Sequence, residues 1–228
     1  MISLMLIACA TKPKKDVQIN LPNEPWWEAA VSSSDLTTRN LAQVRQGVLR
    51  VSGKSFMLGT TVDTEINAYA AMENDQTLIV MTTGFLGEFS SDQDVLASVM
   101  GHELAHHQLG HTKPGYLENR NAAVQAMSTT VGMISSFFIP FSGLITGNMV
   151  KAAGLSYSRD DEREADLLGM QWAMLAGYSP CGSYRFAQRL QALNKGATLA
   201  WFSTHPGLSE RMENAQRISF KTSGSGCG

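Results

Sequence analysis

The apolar and polar positions in the first third of the chain predict one helix followed by strands. Between residues 35 and 50 the apolar positions fall at helical spacing, which predicts an amphipathic α-helix. The stretches 66–70 and 77–81 are strand-like and flank a polar turn, so they predict a β-hairpin. The apolar stretch 56–58 predicts a third strand.

From Thr82-Thr83-Gly84 onward the pattern becomes helical. Ser91 and Asp94 precede an apolar run and resemble a capping box, which predicts a helix from about residue 92 to Gly110. Strands come first and helices follow, without an internal repeat. We therefore expect an α+β fold, with a small N-terminal antiparallel sheet and then a mainly helical body. Later helices are predicted at about 118–136, 142–156, 160–176, 180–194 and 207–217.

The chain begins with an apolar segment, residues 1–8, that is followed by Cys9. A secretory signal normally starts with a basic segment, which is missing here. Residues 6–9, Leu-Ile-Ala-Cys, nevertheless resemble the lipobox of bacterial lipoproteins, in which the cysteine is lipidated and becomes the new N-terminus. The alternatives are a truncated ordinary signal and an apolar start without function.

The lipoprotein interpretation divides the chain into three parts. Residues 1–9 are a signal segment, residues 10–34 a linker and residues 35–228 a single domain. The protein would then be exported to the periplasm and attached to a membrane through the lipid on Cys9. Ala10, rather than an aspartate, follows the cysteine, and this favours the outer membrane of a Gram-negative cell.

Composition limits the classes of function. With 228 residues, of which 43% are hydrophobic, the chain can bury one substantial core. The net charge is −2, and the Lys and Arg residues are scattered. Because nucleic-acid binding needs a basic surface, we do not expect a nucleic-acid partner. The sequence does not indicate an oligomeric state.

No charged residue lies between Arg120 and Lys151. A membrane span needs about 20 predominantly apolar residues, and serine, proline and glycine interrupt this stretch. We therefore expect a buried helical hairpin within residues 121–150, with an interfacial or substrate-gating hairpin as the alternative.

Cys181 and Cys227 remain if Cys9 carries lipid. In an oxidising compartment two cysteines of an exported protein often pair. A disulfide would join the Gly/Ser-rich C-terminal tail to the loop 179–182. The alternative is two free thiols.

Residues 102–106 read His-Glu-Leu-Ala-His and carry the clearest chemistry. Residues four apart lie on one face of a helix, so His102 and His106 can hold one metal ion while Glu103 projects towards its bound water. A catalytic zinc ion takes three protein ligands and leaves a fourth position for water. The pattern also occurs by chance on surface helices. Here it lies in an apolar-periodic helix, where buried His and Glu side chains need a metal or another partner.

An acidic run further along the chain offers the third ligand. In residues 158–166, Glu162 and Asp166 share a helix face and suit a ligand and the group that orients a ligand, whereas Glu164 points away. Taken alone, such a run is typical of a solvated helix start.

These motifs together resemble a known family. The His-Glu-Leu-Ala-His motif, Gly110-His111, the run SRDDEREAD, Thr204-His205-Pro206 and Arg211 resemble metallopeptidase family forty-eight. This gluzincin family includes the HtpX heat-shock protease and the CAAX prenyl protease. Residues 66–70 and Thr83-Gly84 match its strand and turn before the active helix. The similarity covers roughly residues 40–217 and is greatest to soluble bacterial members of the lipoprotein type.

The resemblance implies a zincin-like fold and one Zn²⁺ ion per chain. The family's third ligand, the Glu of its E-x-x-x-D pattern, falls on Glu162, and the orienting carboxylate falls on Asp166. The metzincin spacing would require a histidine at position 112, which is Thr112. We therefore expect His111 to lie behind a ligand or at the helix end, and His107 to face away from the metal.

His205 is assigned to the site with two alternative roles. It can donate to the oxyanion that develops during peptide hydrolysis, with Arg211 nearby, or it can bind the metal and inhibit the enzyme. A helix-entry histidine without a site role is the remaining possibility. Asn67 and Ala68 are expected to line the strand edge to which a peptide substrate adds.

We therefore expect an exported, lipid-anchored zinc endopeptidase that hydrolyses proteins of the cell envelope in quality control, with Glu103 as general base. Prenylated membrane proteins are not expected as substrates, because the chain has no convincing membrane span. A chaperone or assembly factor with a latent zinc site, gated by His205 and residues 121–150, is the alternative. A structural zinc protein would need a fourth protein ligand.

Overall fold

A computed structural model describes residues 18–73, 76–113, 116, 157–194 and 199–228. Cys9, the signal segment 1–9, the predicted helices 118–136 and 142–156 and the predicted hairpin within 121–150 lie outside the described residues. The strands are β1 (Ile19–Asn20), β2 (Met57–Thr61), β3 (Ala68–Glu73) and β4 (Gln76–Thr82). The helices are α1 (Glu24–Ala30), α2 (Leu36–Ser52), α3 (Thr83–Phe89), α4 (Gln93–Gln108), α5 (Arg159–Leu175), α6 (Cys181–Leu193), α7 (Ala200–Thr204) and α8 (Leu208–Ser223).

The sheet has the strand order β1-β2-β4-β3 and a mainly helical body follows it, which confirms the α+β class. β3 and β4 form the predicted antiparallel hairpin, and β1 pairs antiparallel with β2. The sheet is nevertheless mixed rather than wholly antiparallel, because β4 enters between β2 and β3 and pairs parallel with β2. This topology leaves β3 at the edge of the sheet.

The described part of residues 10–34, the predicted linker, contains β1 and α1. β1 pairs with β2, with Ile19 opposite Thr61, and α1 follows directly. Asn23 caps α1 by accepting a hydrogen bond from the backbone of Trp26, and Trp27 is buried in the main core. These two elements are short and offer few apolar residues, so they give a weak periodic signal. The domain therefore begins before residue 35.

Helix α4 carries the His-Glu-Leu-Ala-His motif through the centre of the molecule. Its N-cap is Asp92, one residue after the predicted Ser91, and Asp92 Oδ1 accepts from the backbone of Asp94 and Val95 at 3.1 Å. Arg185 on α6 donates to both aspartates. The helix packs against β3, α2, α5 and α6, so every residue from Val95 to His106 is buried.

Two glycines bring α4 and α5 into backbone contact. A Cβ atom on Gly101 would lie 2.6 Å from the carbonyl oxygen of Gly169, and one on Gly169 would lie 2.5 Å from the amide nitrogen of His102. Larger residues would force the helices apart. The close approach places the first turn of α5 beside the histidines of α4.

A disulfide bond joins Cys181, the first residue of α6, to Cys227 in the C-terminal tail. In the part of the chain that the structure describes, no helix combines the length and the apolar character needed to cross a membrane.

Candidate metal centre

The two histidines of α4 point at the same position, as their spacing predicts. His102 and His106 are one helical turn apart, and their Nε2 atoms lie 3.0 Å from each other. Both side chains are buried, at 3% and 0% exposure. Two buried imidazoles facing each other at this distance form one half of a ligand set.

Glu162 completes the predicted set from α5. Its Oε1 lies 3.1 Å from His106 Nε2, and its Oε2 lies 3.7 Å from His102 Nε2. The local cause is a capping box at the start of α5, in which Ser158 and Asp161 each bind the other's backbone amide. The helix therefore begins one turn before Glu162. The Glu162 carboxylate is buried and faces the histidines of α4.

His205, which follows α7, lies inside the same group. Its Nδ1 is 3.0 Å from Glu162 Oε1 and 3.3 Å from His102 Nε2. The ring of Trp201 stacks on it with centroids 4.2 Å apart. The four buried residues place one ligand atom each within 4.8 Å of one another. His205 thus lies within the group of side chains that could hold a metal ion.

Glu103 lies beside this group with neither carboxylate oxygen satisfied. It is completely buried, and both oxygens lack a hydrogen-bond partner among the described residues. Such a buried group costs about 1–3 kcal/mol unless something binds it. Burial raises the pKa of Glu103 above the usual range for a glutamate. An unsatisfied carboxylate next to three imidazoles and a second carboxylate fits a site built for a metal ion and its bound water.

The protonation of two candidate ligands, His106 and Glu162, fits the same interpretation. Burial lowers the pKa of His106, which keeps it in the neutral form that binds metals. Burial opposes ionisation of Glu162, but His205 and His102 lower the pKa of Glu162. A neutral imidazole and an ionised carboxylate are the forms that a divalent ion requires, and imidazole nitrogen and carboxylate oxygen are zinc ligands.

Asp166 and Arg211 lie directly behind the ligands. Asp166 Oδ1 is 2.9 Å from His102 Nδ1. Arg211, from α8, is buried and donates to Glu162 Oε2 at 3.0 Å, and its NH2 lies 2.8 Å from Asp166 Oδ1. Three carboxyl groups, those of Glu103, Glu162 and Asp166, thus lie around one guanidinium group. A bound cation would balance this excess of carboxylates.

His106 is supported by two aromatic rings. His111 Nδ1 lies 3.0 Å from His106 Nδ1, behind the ligand as predicted for this residue. Tyr157 stacks on the His106 ring with centroids 3.7 Å apart and 18° between the planes. Tyr157 was missed from sequence because its only local signal is a position next to the N-cap of α5. His107 lies away from the group, 3.1 Å from Thr112 Oγ1.

Asn67 and Ala68 lie where β3, the edge strand, begins and packs along α4. Ala68 is fully buried and pairs with Met81. Asn67 Oδ1 is buried and has no hydrogen-bond partner within the part of the chain that the structure describes. The two residues are not part of the candidate ligand group.

The fold is zincin-like, and its candidate metal site has two histidines on one helix and a glutamate on a second. The model of peptidase family M48 matches residues 17–219, and the chain belongs to this family. The predicted family is thus confirmed. The match begins at residue 17, in agreement with the contribution of β1 and α1 to the domain.

The chain is similar to several characterised metalloproteases. It is 30% identical over 167 residues to Metalloprotease YcaL of Escherichia coli K12, covering 69% of this chain and 64% of that protein. It is 32% identical over 133 residues to Mitochondrial metalloendopeptidase OMA1 of Arabidopsis thaliana, covering 58% and 26%. It is 27% identical over 162 residues to the Beta-barrel assembly-enhancing protease of Escherichia coli K12, covering 67% and 32%. The chain thus spans less than two thirds of the length of each relative.

Proposed function

We propose that this protein is a zinc endopeptidase that hydrolyses proteins of the cell envelope, in the service of protein quality control. The observation that carries the proposal is the position of Glu103. Its buried and unsatisfied carboxylate lies next to a group of ligand atoms that fits zinc. A base in this position can act on water and then on the leaving amine without moving far.

The ligands are His102, His106 and Glu162. Asp166 orients His102, His111 lies behind His106, and Arg211 holds Glu162 and Asp166 together. Bound zinc supplies a Lewis acid that activates water at neutral pH. This assignment leaves one position of a tetrahedral site for water or substrate, as catalytic sites require.

Glu103 acts as the general base and then as the general acid. It removes a proton from the attacking water and delivers that proton to the nitrogen of the leaving amine. Burial raises the pKa of Glu103 towards neutral pH. A pKa closer to neutral pH favours both proton transfers, the one from water and the one to the amine.

His205 has a role in controlling the fourth position. With Nδ1 3.0 Å from Glu162 Oε1, it occupies the side of the site that water or substrate must use. This supports a closed form in which His205 is an inhibitory ligand. When it moves away from the ligand group, its imidazole becomes available as a donor to the oxyanion. His205 Nε2 also lies 3.5 Å from Glu103 Oε1.

The substrate is a polypeptide that adds to the edge of β3. Ala68 is the first residue of this strand and Asn67 precedes it, and an extended peptide can pair with a strand edge that no other described strand covers. The unsatisfied Asn67 Oδ1 supplies an acceptor for a peptide N–H. Because Ala68 is fully buried, the edge must open before a substrate binds.

Export and lipid attachment at Cys9 place the enzyme in the periplasm, on the outer membrane. The disulfide between Cys181 and Cys227 supports an oxidising compartment. The similarity to a protein named Beta-barrel assembly-enhancing protease supports envelope proteins as the substrate class.

The closed arrangement of His205 also favours a second candidate, a chaperone or assembly factor whose zinc site stays latent.

The Glu103→Gln variant tests the enzyme proposal. We expect it to retain one zinc ion per chain and to lose hydrolysis of casein, because the amide cannot accept a proton. Retained hydrolysis by the zinc-loaded variant contradicts the proposed role of Glu103.

A further inference from the structure

The two histidine ligands of α4 are held in different ways. His102 has a carboxylate behind it, with Asp166 Oδ1 2.9 Å from Nδ1. His106 has an imidazole instead, with His111 Nδ1 3.0 Å from its own Nδ1. Two ring nitrogens form a hydrogen bond only when one carries a proton and the other does not. The contacts of His106 at its ring face therefore also bear on how the imidazole is oriented.

Tyr157 stacks face to face on His106, and among the described residues no ring stacks in this way on His102. The Tyr157 and His106 ring centroids are 3.7 Å apart and the planes differ by 18°. By comparison, the centroid of the Trp201 ring lies 6.0 Å from that of the His102 ring, and the two planes differ by 43°. The Tyr157 ring, packed against the face of the His106 imidazole, opposes rotation of that imidazole about its Cβ–Cγ bond.

Hydrogen bonds fix the backbone at Tyr157 and at the next residue. The Tyr157 amide donates to the carbonyl of Thr204 at 3.2 Å. The next residue, Ser158, donates its amide to Asp161 Oδ2 at 2.8 Å in the capping box of α5. Tyr157 is only 4% exposed, so its ring has little freedom to turn away from His106.

We propose that Tyr157 is a positioning residue for the metal site: its ring sets the plane of the His106 imidazole and so aims Nε2 at the ion. The proposal rests on the proposed zinc site and extends it to a residue outside the ligand set. The ring performs this role, not the hydroxyl group. Zinc affinity should therefore depend on an aromatic side chain at this position.

The test compares three variants of the full chain by zinc affinity, measured in competition with a chromogenic chelator. Tyr157→Leu removes the ring, and we expect zinc to bind about tenfold more weakly. Tyr157→Phe keeps the ring and should bind zinc as the wild type does. Tyr178→Leu is the matched control, since Tyr178 is a partly buried tyrosine that packs on the main core near Gly47. It should leave zinc affinity unchanged.

A second measurement separates ligand geometry from general stability. The visible absorption of the cobalt-substituted protein reports the arrangement of the ligands, and it should change in Tyr157→Leu but not in Tyr157→Phe or Tyr178→Leu. The cobalt spectrum is compared at a temperature where thermal unfolding shows all four proteins to be folded.

The outcomes distinguish this inference from the proposed function. A wild-type protein that does not bind zinc overturns the zinc site itself. If the wild type binds zinc, equal affinity in Tyr157→Leu overturns the positioning role. An equal loss in Tyr157→Phe assigns the effect to the hydroxyl group and also overturns it.

Discussion

Gly101 and Gly169 lie in direct backbone contact, and this contact sets the distance between the two helices that carry the metal ligands. A Cβ on Gly169 would approach the amide nitrogen of His102 to 2.5 Å and the carbonyl carbon of Gly101 to 2.6 Å. Neither neighbour is the end of a flexible side chain. The helices must therefore separate to accept any larger residue, and Glu162 would move away from His102 and His106.

We expect Gly169→Ala to lower both stability and zinc affinity. The forced separation of packed helices should reduce the free energy of unfolding by about 1–3 kcal/mol. Chemical denaturation measures the first effect and chelator competition the second.

The matched control for this substitution is Gly87→Ala in α3. No heavy atom lies within 4 Å of a Cβ built on Gly87, and its backbone is helical. The added methyl group should stabilise the helix by up to about 1 kcal/mol and leave zinc binding unchanged. Equal stability of Gly169→Ala and the wild type would show that the α4–α5 contact can relax without harm.

His205→Ala tests the closed form of the site. Removing the imidazole opens the fourth position next to Glu162, so we expect casein hydrolysis to rise severalfold if His205 mainly blocks the site. The rate of proteolysis at equal zinc content is the measurement. A fall in the rate assigns His205 to catalysis, and no hydrolysis by any form of the protein favours the chaperone candidate.

Asp166→Asn tests the carboxylate behind His102. The asparagine keeps the shape but removes the negative charge that lies 2.9 Å from His102 Nδ1 and that pairs with Arg211. Loss of such a partner typically weakens metal binding by about 10–100-fold, and we expect a loss of that size. Zinc affinity at constant pH checks it, with Asp160→Asn as control, because Asp160 is exposed at the start of α5. Unchanged affinity in Asp166→Asn would refute the orienting role.

Replacing Cys181 and Cys227 together by serine should destabilise the fold without removing the metal site. The disulfide joins residues 46 positions apart, so its loss frees a long loop in the unfolded chain. The expected decrease in the free energy of unfolding is about 2–4 kcal/mol. Denaturation of the oxidised wild type, the reduced wild type and the double variant measures it. A reduced wild type as stable as the oxidised one would show that the bond has no stabilising role.

The sequence predicts those parts of the site that follow from helical geometry. His102, Glu103 and His106 share a helix whose period is visible, and Glu162 and Asp166 share another, so their relative directions depend only on local structure. The expectation that His111 lies behind a ligand also depends on a short separation along the chain.

Features that depend on long-range packing were not predictable in this way. Tyr157 stacks on His106 across a separation of 51 positions in the numbering, and no periodic pattern links the two residues. The parallel pairing of β2 with β4 depends on the insertion of β4 between β2 and β3, which local hydrophobicity does not specify. β1 and α1 are too short to stand out from a polar linker, although Trp27 is buried in the core.

The most direct test of the account is to locate the metal ion in the purified protein. Anomalous diffraction at the zinc absorption edge identifies the element and its position. The account predicts one zinc ion per chain, bonded to His102 Nε2, His106 Nε2 and a carboxylate oxygen of Glu162, at about 2.0–2.2 Å. A zinc ion bound elsewhere, or a crystal of zinc-saturated protein without an ion between these three residues, would contradict it.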